Sequence, residues 1–224
     1  MATYFITGAS RGLGIEFVRQ LGARGDKVLA AVRGRSSDSE LSAMGAKVIP
    51  MDVSDESSIA AAAKLLGSEP VDVLINNAGV NAEAKRLEDL RTEELAEVFK
   101  INAIAPLLVA KGLLPNLKSG NQRKVINISS DMGSIAHNAG GSSYAYRGSK
   151  AALNMLSKCM ANELRNDGFT CIALDPGWVK TDMGGQGAPL TPQESISLML
   201  KVIDALKPGQ TGTYLDLHGR VVPW

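Results

Sequence analysis

Histidine, cysteine and long apolar runs are scarce in this chain of 224 residues. The two histidines and two cysteines show no spacing that indicates a metal site, and we predict none. The longest apolar stretches, such as AIAPLLVA, are far shorter than the roughly 20 residues that a membrane-spanning helix needs. The first residues, MATYFITGAS, lack the basic region, apolar core and cleavage site of a signal peptide. We therefore expect a cytoplasmic protein in which Cys159 and Cys171 are free, buried thiols.

An excess of charge of either sign is also missing. The formal net charge is +1, and no long run of like charge is present. This balance gives no electrostatic reason to expect binding to nucleic acid or to an anionic membrane. Hydrophobic residues make up 45% of the chain, which is enough for a substantial core at this length.

Short apolar runs rich in Val and Ile alternate with amphipathic stretches along the chain. Strands are predicted at 3–7, 27–32, 47–51, 71–76, 124–129, 170–175 and 212–217. Helices are predicted at 12–24, 55–66, 92–117 with a break near 102–106, 144–166 and 192–206. The nearly continuous apolar character of the strands indicates burial on both faces. The alternation predicts an α/β fold with a single doubly wound, Rossmann-like parallel sheet of about seven strands and helices on both faces.

No repeat or interdomain linker interrupts this alternation, so we predict that residues 1–224 form a single domain. The stretch GGQGAPLTP, residues 184–192, follows the sixth strand and is rich in Gly and Pro. We interpret it as a mobile substrate loop within the domain. It carries no charged side chain, which favours an open site for apolar or bulky carbonyl compounds. Met132, Trp178 and Met183 follow strands five and six, where they could line such a pocket.

The stretch TGASRGLG directly follows the first strand and opens a helix. Its glycines, Gly8, Gly12 and Gly14, have a G-x3-G-x-G spacing, which differs from the G-x-G-x-x-G fingerprint. Glycines allow a tight turn and a close approach of the backbone to a pyrophosphate, and the helix N-terminus offers free N–H groups. Between the first strand and first helix of an α/β sheet, this turn predicts a dinucleotide site rather than an ordinary turn.

The end of the second strand bears on which dinucleotide is bound. NAD sites usually have an acidic residue there, for the ribose hydroxyls. In this chain Val32 occupies that position, Arg33 and Arg35 follow, and Arg11 lies within the glycine turn. An arginine without a nearby acid suits a 2′-phosphate, although these arginines could also be ordinary surface residues. We therefore predict NADP(H), with NAD(H) the less favoured cofactor.

The stretch YAYRGSK, residues 144–150, places two tyrosines near one lysine. Residues four apart on a helix share a face, whereas residues six apart do not. Tyr146 is therefore predicted to lie next to Lys150, while Tyr144 points elsewhere.

These motifs together resemble those of the short-chain dehydrogenase/reductase family in its compact single-domain form. The resemblance rests on TGASRGLG, MDVSD, NNAG, INAIAP, NISS, YRGSK and DPGWVKTDM, which occur in the family's order and cover nearly the whole chain. The stretch from Ser130 to Tyr146 is slightly longer than is usual, and the loop after the sixth strand is short. With the ending GRVVPW, these features resemble the C-factor and sniffer carbonyl reductase branch.

The resemblance implies an NADP(H)-dependent oxidoreductase, most simply a carbonyl reductase. It implies that Tyr146 is the proton donor, that the Lys150 ammonium lowers the pKa of the Tyr146 hydroxyl, and that Ser130 rather than Ser129 binds the substrate oxygen. Asn102 would break its helix and hold a water next to Lys150. The implied cofactor contacts are Gly8, Ser10, Arg11, Gly12, Leu13, Gly14, Arg33, Asp52, Val53, Asn77, Ala78, Gly79, Tyr146, Lys150, Pro176, Gly177, Val179 and Thr181.

Three further expectations accompany this reading. The family commonly forms dimers or tetramers, and the apolar character of 102–114 and 151–160 allows such an interface, so a homo-oligomer is predicted. A dinucleotide-binding signalling or regulatory protein of the C-factor type, with secondary enzymatic activity, is the alternative function. An epimerase or dehydratase is disfavoured by the glycine spacing and by the lack of a separate substrate domain.

Overall fold

Seven parallel strands form one sheet in the computed structural model, which describes residues 1–34 and 37–224. The strands are β1 Thr3–Thr7, β2 Lys27–Val32, β3 Lys47–Pro50, β4 Val73–Asn76, β5 Lys124–Ile128, β6 Thr170–Leu174 and β7 Tyr214–Leu215. Their order in the sheet is β3-β2-β1-β4-β5-β6-β7. The direction of winding reverses between β1 and β4, and ligands of open α/β sheets bind outside the carboxyl ends of the strands at such a point.

Helices cover both faces of this sheet. They are α1 Gly12–Ala23, α2 Asp38–Ala43, α3 Glu56–Leu66, α4 Thr92–Phe99, α5 Ala105–Gly112, α6 Leu114–Ser119, α7 Tyr144–Leu164 and α8 Pro192–Ala205. Buried side chains of α1, α2 and α8 belong to one hydrophobic core, and those of α3, α5, α6 and α7 belong to another. The predicted α/β fold, with a doubly wound parallel sheet between two helical layers, is thus confirmed.

The side chains of neighbouring residues on a strand pack into opposite hydrophobic cores. On β1, Tyr4 and Ile6 pack with α1 and α8, whereas Phe5 packs on the other face, and each of the three is at most 1% exposed. Successive side chains of a strand point to opposite faces, so a central strand needs apolar residues at every position. Burial of such a side chain contributes roughly 1.5–3 kcal/mol.

The predicted helix over 92–117 is divided into three. A π-helical turn, Lys100–Ile104, separates α4 from α5, which confirms the break predicted near 102–106. A second break, before α6, is not predicted by the sequence pattern. Pro106 and Pro115 stand in the first turns of α5 and α6, where the missing proline N–H leaves no hydrogen bond unmade.

Two predicted strands are shorter in the structure by two residues or more, and those predicted at 47–51, 124–129 and 170–175 each end one residue early. The strand predicted at 71–76 begins at Val73, because the Val71 amide donates to the Asn116 carbonyl of α6. The strand predicted at 212–217 is reduced to Tyr214–Leu215. There the Thr213 amide closes a turn onto the Gln210 carbonyl.

The helix α2 is absent from the sequence prediction. It has six residues, and Leu41 is its only buried side chain, so it carries too little apolar periodicity to be recognised. The helices predicted at 12–24, 144–166 and 192–206 end one or two residues early in the structure, which is the ordinary uncertainty of helix ends.

The two cysteines differ in exposure. Cys171, on β6, is buried as predicted, and burial raises the pKa of its thiol to about 12. The prediction that Cys159 is buried is wrong, because the thiol is exposed. It lies four residues after Met155, which is 64% exposed, on the outward face of α7.

No helix within 1–34 or 37–224 is long and apolar enough to cross a membrane. The same residues contain no group of three or more His, Cys, Asp or Glu side chains that could hold a metal ion.

Candidate functional site

A cleft of about 1010 Å³ opens at the carboxyl ends of the strands. Its walls come from the glycine turn after β1 and from the segments that follow β2 to β6, together with the first turns of α7. The structure brings nearly all of the predicted site residues to these walls. Gly14 and Asn102 are the two that do not line the cleft, and both support residues that do.

Close contacts with the backbone explain two glycines of the turn. Gly8 has a φ of +64°, and a Cβ there would lie 2.9 Å from the Cα of Ala78. A Cβ on Gly14 would lie 2.1 Å from the carbonyl oxygen of Gly8. Both separations are too short for any side chain, so glycine is required to keep the turn closely packed against the end of β4.

Asn77 fastens the turn to the end of β4. Its amide nitrogen Nδ2 donates to the carbonyl oxygens of Thr7 at 3.0 Å and Gly8 at 3.2 Å. The Thr7 hydroxyl accepts in return from the backbone amides of Asn77 and Ala78, both at 3.0 Å. The sequence resemblance assigns Asn77 to the cofactor, whereas its side chain here holds the glycine turn in place.

The start of α1 faces the cleft. Gly12 and Leu13 line it, and no side chain caps the first turn of the helix. Free N–H groups and the positive end of the helix dipole make this position suitable for a phosphate. Arg11 stands beside it, and its guanidinium lies 3.4 Å from the Asp182 carboxylate across the mouth of the cleft.

The part of the cleft that is predicted to hold the adenine is formed after β2 and β3. Arg33 is exposed at this wall, while Val32 is only 3% exposed and packs in the core. Asp52 Oδ1 accepts hydrogen bonds from the amide and hydroxyl of Ser54 at 2.8 and 2.7 Å. Val53 lies on the same wall. Arg35, the other predicted candidate for a 2′-phosphate, lies outside the described residues.

Tyr146 and Lys150 are neighbours on α7, as their spacing predicts. The Lys150 Nζ lies 5.7 Å from the centre of the Tyr146 ring, and both residues line the cleft. Tyr144 is 43% exposed and is not part of the cleft wall. The Lys150 Nζ donates a hydrogen bond of 2.7 Å to the Ile128 carbonyl at the end of β5, and Lys150 is only 5% exposed.

The pKa of Tyr146 differs from the sequence expectation. Burial raises the pKa of its hydroxyl, the hydrogen bond with Ser130 opposes this rise, and the Asp175 carboxylate adds to it. The predicted lowering by Lys150 is therefore wrong for this structure. The ammonium sits over the ring and bonds to Ile128, so it does not offset the burial of the phenol. Burial lowers the pKa of Lys150 to about 8, and Asp175 acts in the opposite direction.

The two serines after β5 have different surroundings. The Ser129 hydroxyl donates to Asn154 at 2.6 Å and is buried. The Ser130 hydroxyl accepts from the Met132 amide at 3.2 Å and also bonds to Tyr146. Ser130 thus caps a short turn, as a serine after a strand often does, and still faces the cleft beside the tyrosine.

Asn102 lies in the π-helical turn and is 1% exposed. Its side chain accepts from the Val80 amide at 2.8 Å and donates to the Val80 carbonyl at 2.9 Å and to Ser149 at 3.1 Å. Both side-chain N–H groups are therefore engaged, which leaves the second lone pair of Oδ1 and the backbone carbonyl of Asn102 as acceptors for a water near Lys150. Pro106 lacks the N–H that would bond to this carbonyl in an α-helix.

The segment after β6 closes the other side of the cleft. Pro176, Gly177, Val179 and Thr181 all line it, together with Met132, Trp178 and Met183. Residues 184–192 are interpreted from sequence as mobile, but in the structure their Leu190 forms a bridge with Val179. The Trp178 indole also donates to the Gly184 carbonyl at 2.7 Å, which fastens the other end of the loop.

Several residues at the cleft are not found by sequence reasoning. Asp131, Asp182 and Lys85 bring charge to its walls, so the absence of charge in 184–192 does not describe the whole site. Asp175 is buried within it.

The C-terminal end of the described chain is also close to Ser130. The Tyr214 hydroxyl donates to the Ser130 carbonyl at 2.5 Å, and the Trp224 ring stacks on that of Tyr214 at 5.6 Å. No local pattern in the sequence links residues so far apart along the chain.

Comparison with known proteins agrees with this geometry. A model of the short chain dehydrogenase family matches residues 2–189. The C-signal protein of Myxococcus xanthus is 49% identical over 155 residues, which cover 69% of this chain and 93% of that protein.

Solved structures match over the whole chain. The NADPH-bound carbonyl reductase from chicken fatty liver superimposes with a TM-score of 0.93 at 37% identity and covers 100% of this chain and 99% of its own. Carbonyl reductase Sniffer of D. melanogaster gives a TM-score of 0.94 at 31% identity, with 100% of both chains covered. Because the family model covers well over half of the residues, this protein belongs to the short-chain dehydrogenase/reductase family.

Proposed function

We propose that the protein is an NADP(H)-dependent oxidoreductase that reduces a ketone or aldehyde, with oxidation of the matching secondary alcohol as the reverse reaction. The observation that carries this proposal is the convergence of Tyr146, Lys150 and Ser130 beside the glycine turn, in one cleft at the carboxyl end of the sheet. The likeness to carbonyl reductases, one of them NADPH-bound, supports the same conclusion.

The cleft fits a dinucleotide. Gly8 and Gly14 leave no room for a Cβ, and the first turn of α1 offers amides without side-chain partners. The pyrophosphate would lie at Ser10, Gly12 and Leu13, the adenine at Asp52 and Val53, and the nicotinamide end at Ala78, Gly79, Tyr146, Lys150, Pro176, Gly177, Val179 and Thr181. Bound NADPH supplies the hydride.

The chain's own groups supply the proton and the orientation. A raised pKa keeps the Tyr146 hydroxyl protonated at neutral pH, so it can donate a proton to the carbonyl oxygen as charge develops there. The Ser130 hydroxyl binds the same oxygen and stabilises its negative charge in the transition state. Lys150, whose Nζ donates to the Ile128 carbonyl, would hold the nicotinamide ribose. The protonated tyrosine is the form that carbonyl reduction requires.

The preference for NADP(H) over NAD(H) rests on charge. Arg33 is exposed at the adenine wall, Arg11 lies at the cleft mouth, and Val32 leaves the strand end without an acid. A guanidinium can meet a 2′-phosphate with two parallel hydrogen bonds. Of the two, Arg11 already has an ionic partner in Asp182, so Arg33 is the first choice.

NADPH oxidation in the presence of a panel of dicarbonyls, quinones and aromatic ketones tests this function. We expect turnover with at least one carbonyl class, and a much smaller rate with Tyr146→Phe at equal cofactor occupancy. Binding of NADPH with no turnover across the panel would instead favour the second candidate function.

That second candidate is a dinucleotide-binding signalling or regulatory protein with secondary enzymatic activity. The 49% identity to the C-signal protein of M. xanthus is the observation that favours it. Deletion of the gene would then abolish a developmental or intercellular function. Restoration of that function by the Tyr146→Phe variant would support a role independent of catalysis.

The domain organisation, the location and the oligomeric state of the protein belong to the same proposal. Residues 1–224 act as one dinucleotide-binding and catalytic domain, and 184–192 is its substrate loop. The protein works in the cytoplasm as a homodimer or homotetramer. Ile104, on the π-helical turn before α5, is 47% exposed, and Met155, on α7, is 64% exposed, so both offer apolar contact surface. Sedimentation showing a monomer at micromolar concentration would contradict this assembly.

A further inference from the structure

One buried carboxylate in the cleft has no cationic partner. The other acidic residues that line it are more exposed: Asp52 is half-buried, and Asp131 and Asp182, both exposed, bond to His137 and Arg11. Asp175 forms no ion pair with the residues that the structure describes, although it is only 8% exposed. Removing a carboxylate from water without a cation or a full set of hydrogen bonds is costly, so a buried carboxylate of this kind calls for an explanation.

Backbone amides satisfy only one side of this carboxylate. Asp175 Oδ1 accepts from the Asp131 amide at 3.1 Å and from the Gly177 amide at 3.2 Å. An ionised carboxylate can accept about four hydrogen bonds. Within the described residues Oδ2 has no hydrogen-bond partner, and the protein does not fully enclose this atom. This oxygen therefore faces the cleft, where a ligand can reach it.

The position of Asp175 relates it to the substrate. Asp131 directly follows Ser130, the proposed contact of the reacting oxygen, and Gly177 belongs to the segment proposed to hold the nicotinamide. Asp175 thus lies between the turn that carries Ser130 and the segment proposed to hold the nicotinamide. It is also close enough to raise the pKa of both Tyr146 and Lys150.

We propose that Asp175 is a specificity-determining residue, whose free oxygen accepts a hydrogen bond from a hydroxyl or ammonium group one or two atoms from the substrate carbonyl. This inference rests on the proposed carbonyl reduction. The preferred substrate class is then α-hydroxy or α-amino ketones and aldehydes. Compounds whose neighbouring group cannot donate leave a buried charge unpaired and are reduced more slowly.

Three ketones of similar shape test the inference: α-hydroxyacetophenone, α-aminoacetophenone and α-methoxyacetophenone, each with its substituent on the carbon next to the carbonyl. We expect the wild type to prefer the hydroxy ketone or the amino ketone over the methoxy ketone by roughly tenfold to a hundredfold in kcat/KM, the usual worth of a hydrogen bond to a charged group. The hydroxy and amino arms distinguish a neutral donor from a cationic one.

Asp175→Asn keeps the shape of the side chain and removes its charge. We expect this variant to lose most of the preference while still reducing the methoxy ketone. Asp182→Asn is the matched control, because it removes a carboxylate from the mouth of the same cleft and should leave the ratio of kcat/KM values unchanged. Calorimetric titration with NADPH checks that Asp175→Asn is folded and binds cofactor as the wild type does.

The inference would be overturned if wild type and Asp175→Asn had the same ratio of kcat/KM values for the donor ketones and the methoxy ketone. If that unchanged ratio came with a loss of NADPH affinity, the carboxylate would instead lie against the nicotinamide. Both results leave the proposed reductase function intact, because the methoxy ketone is still reduced. If no carbonyl compound of any class is reduced by the wild type, the proposed function fails, and this inference fails with it.

Discussion

Raising the pH should weaken NADPH binding through Lys150. Burial lowers the pKa of this amine to about 8. Roughly nine in ten copies of the side chain are then charged at pH 7 and roughly one in ten at pH 9. In the proposed complex the ammonium bonds the ribose near an anionic pyrophosphate, so the complex retains the proton. Affinity is therefore lost as the pH rises through the pKa of the free protein.

The expected size of this effect is about a tenfold increase in the Kd for NADPH between pH 7 and pH 9, because the charged fraction falls by that factor. Isothermal titration calorimetry at several pH values measures the Kd. Titrations in buffers with different ionisation enthalpies measure the proton taken up on binding. Uptake should approach one proton at pH 9 and be close to zero at pH 7.

Lys150→Met is the control for this prediction, because it keeps an unbranched apolar chain and has no titrating group. Its Kd should be weaker than that of the wild type at pH 7 and nearly independent of pH. A wild-type Kd that stays constant over this range, or a variant with the same slope as the wild type, would refute the reasoning from burial.

Three other perturbations follow from the site. Tyr146→Phe removes only the hydroxyl, and we expect kcat to fall by roughly 10²–10⁴ with NADPH affinity retained, whereas Tyr144→Phe should change kcat little because that side chain lies outside the cleft. Equal losses in the two variants, measured by steady-state kinetics, would show that the helical-face argument is wrong. Val32→Asp combined with Arg33→Ala should shift the ratio of kcat/KM values for NADPH and NADH towards NADH by roughly tenfold or more, since a charge-assisted contact to the 2′-phosphate is lost and an acid for the ribose is gained. An unchanged ratio would argue that Arg33 does not contact the phosphate. Gly14→Ala should lower the free energy of unfolding by roughly 1–3 kcal/mol, because its Cβ collides with a backbone carbonyl, and thermal unfolding of this variant beside the wild type measures the change.

Local pattern is enough to predict the layers of this fold. Strands whose interior positions are all apolar, such as Tyr4, Phe5 and Ile6 of β1, are typical of the middle of a sheet covered on both faces, and strict alternation with helices leaves few other topologies. The positions of the glycine turn, Tyr146 and Lys150 follow from that topology, since all of them come after strand ends or at helix starts on the same edge of the sheet.

Properties that depend on distant neighbours are not predictable in this way. The pKa of Tyr146 rises because of burial by segments far away in the chain, whereas spacing alone reveals only the nearby Lys150. Asp175 lies within a motif, yet its lack of a cation emerges only once every surrounding segment is in place. The exposure of Cys159 depends on which side of α7 the sheet covers, and a long helix rich in small residues on several faces leaves that choice open.

The placement of Trp178 and Trp224 gives the protein a built-in optical reporter. The chain has two tryptophans, one at the wall of the cleft and the other stacked on Tyr214 directly behind Ser130. Their emission overlaps the absorption of reduced nicotinamide, so NADPH in the cleft should quench both by energy transfer. Trp178→Phe leaves the indole behind Ser130 as the single tryptophan, and Trp224→Phe leaves the one that bonds to Gly184. The two variants therefore allow events at either side of the cleft to be followed separately, without any added label.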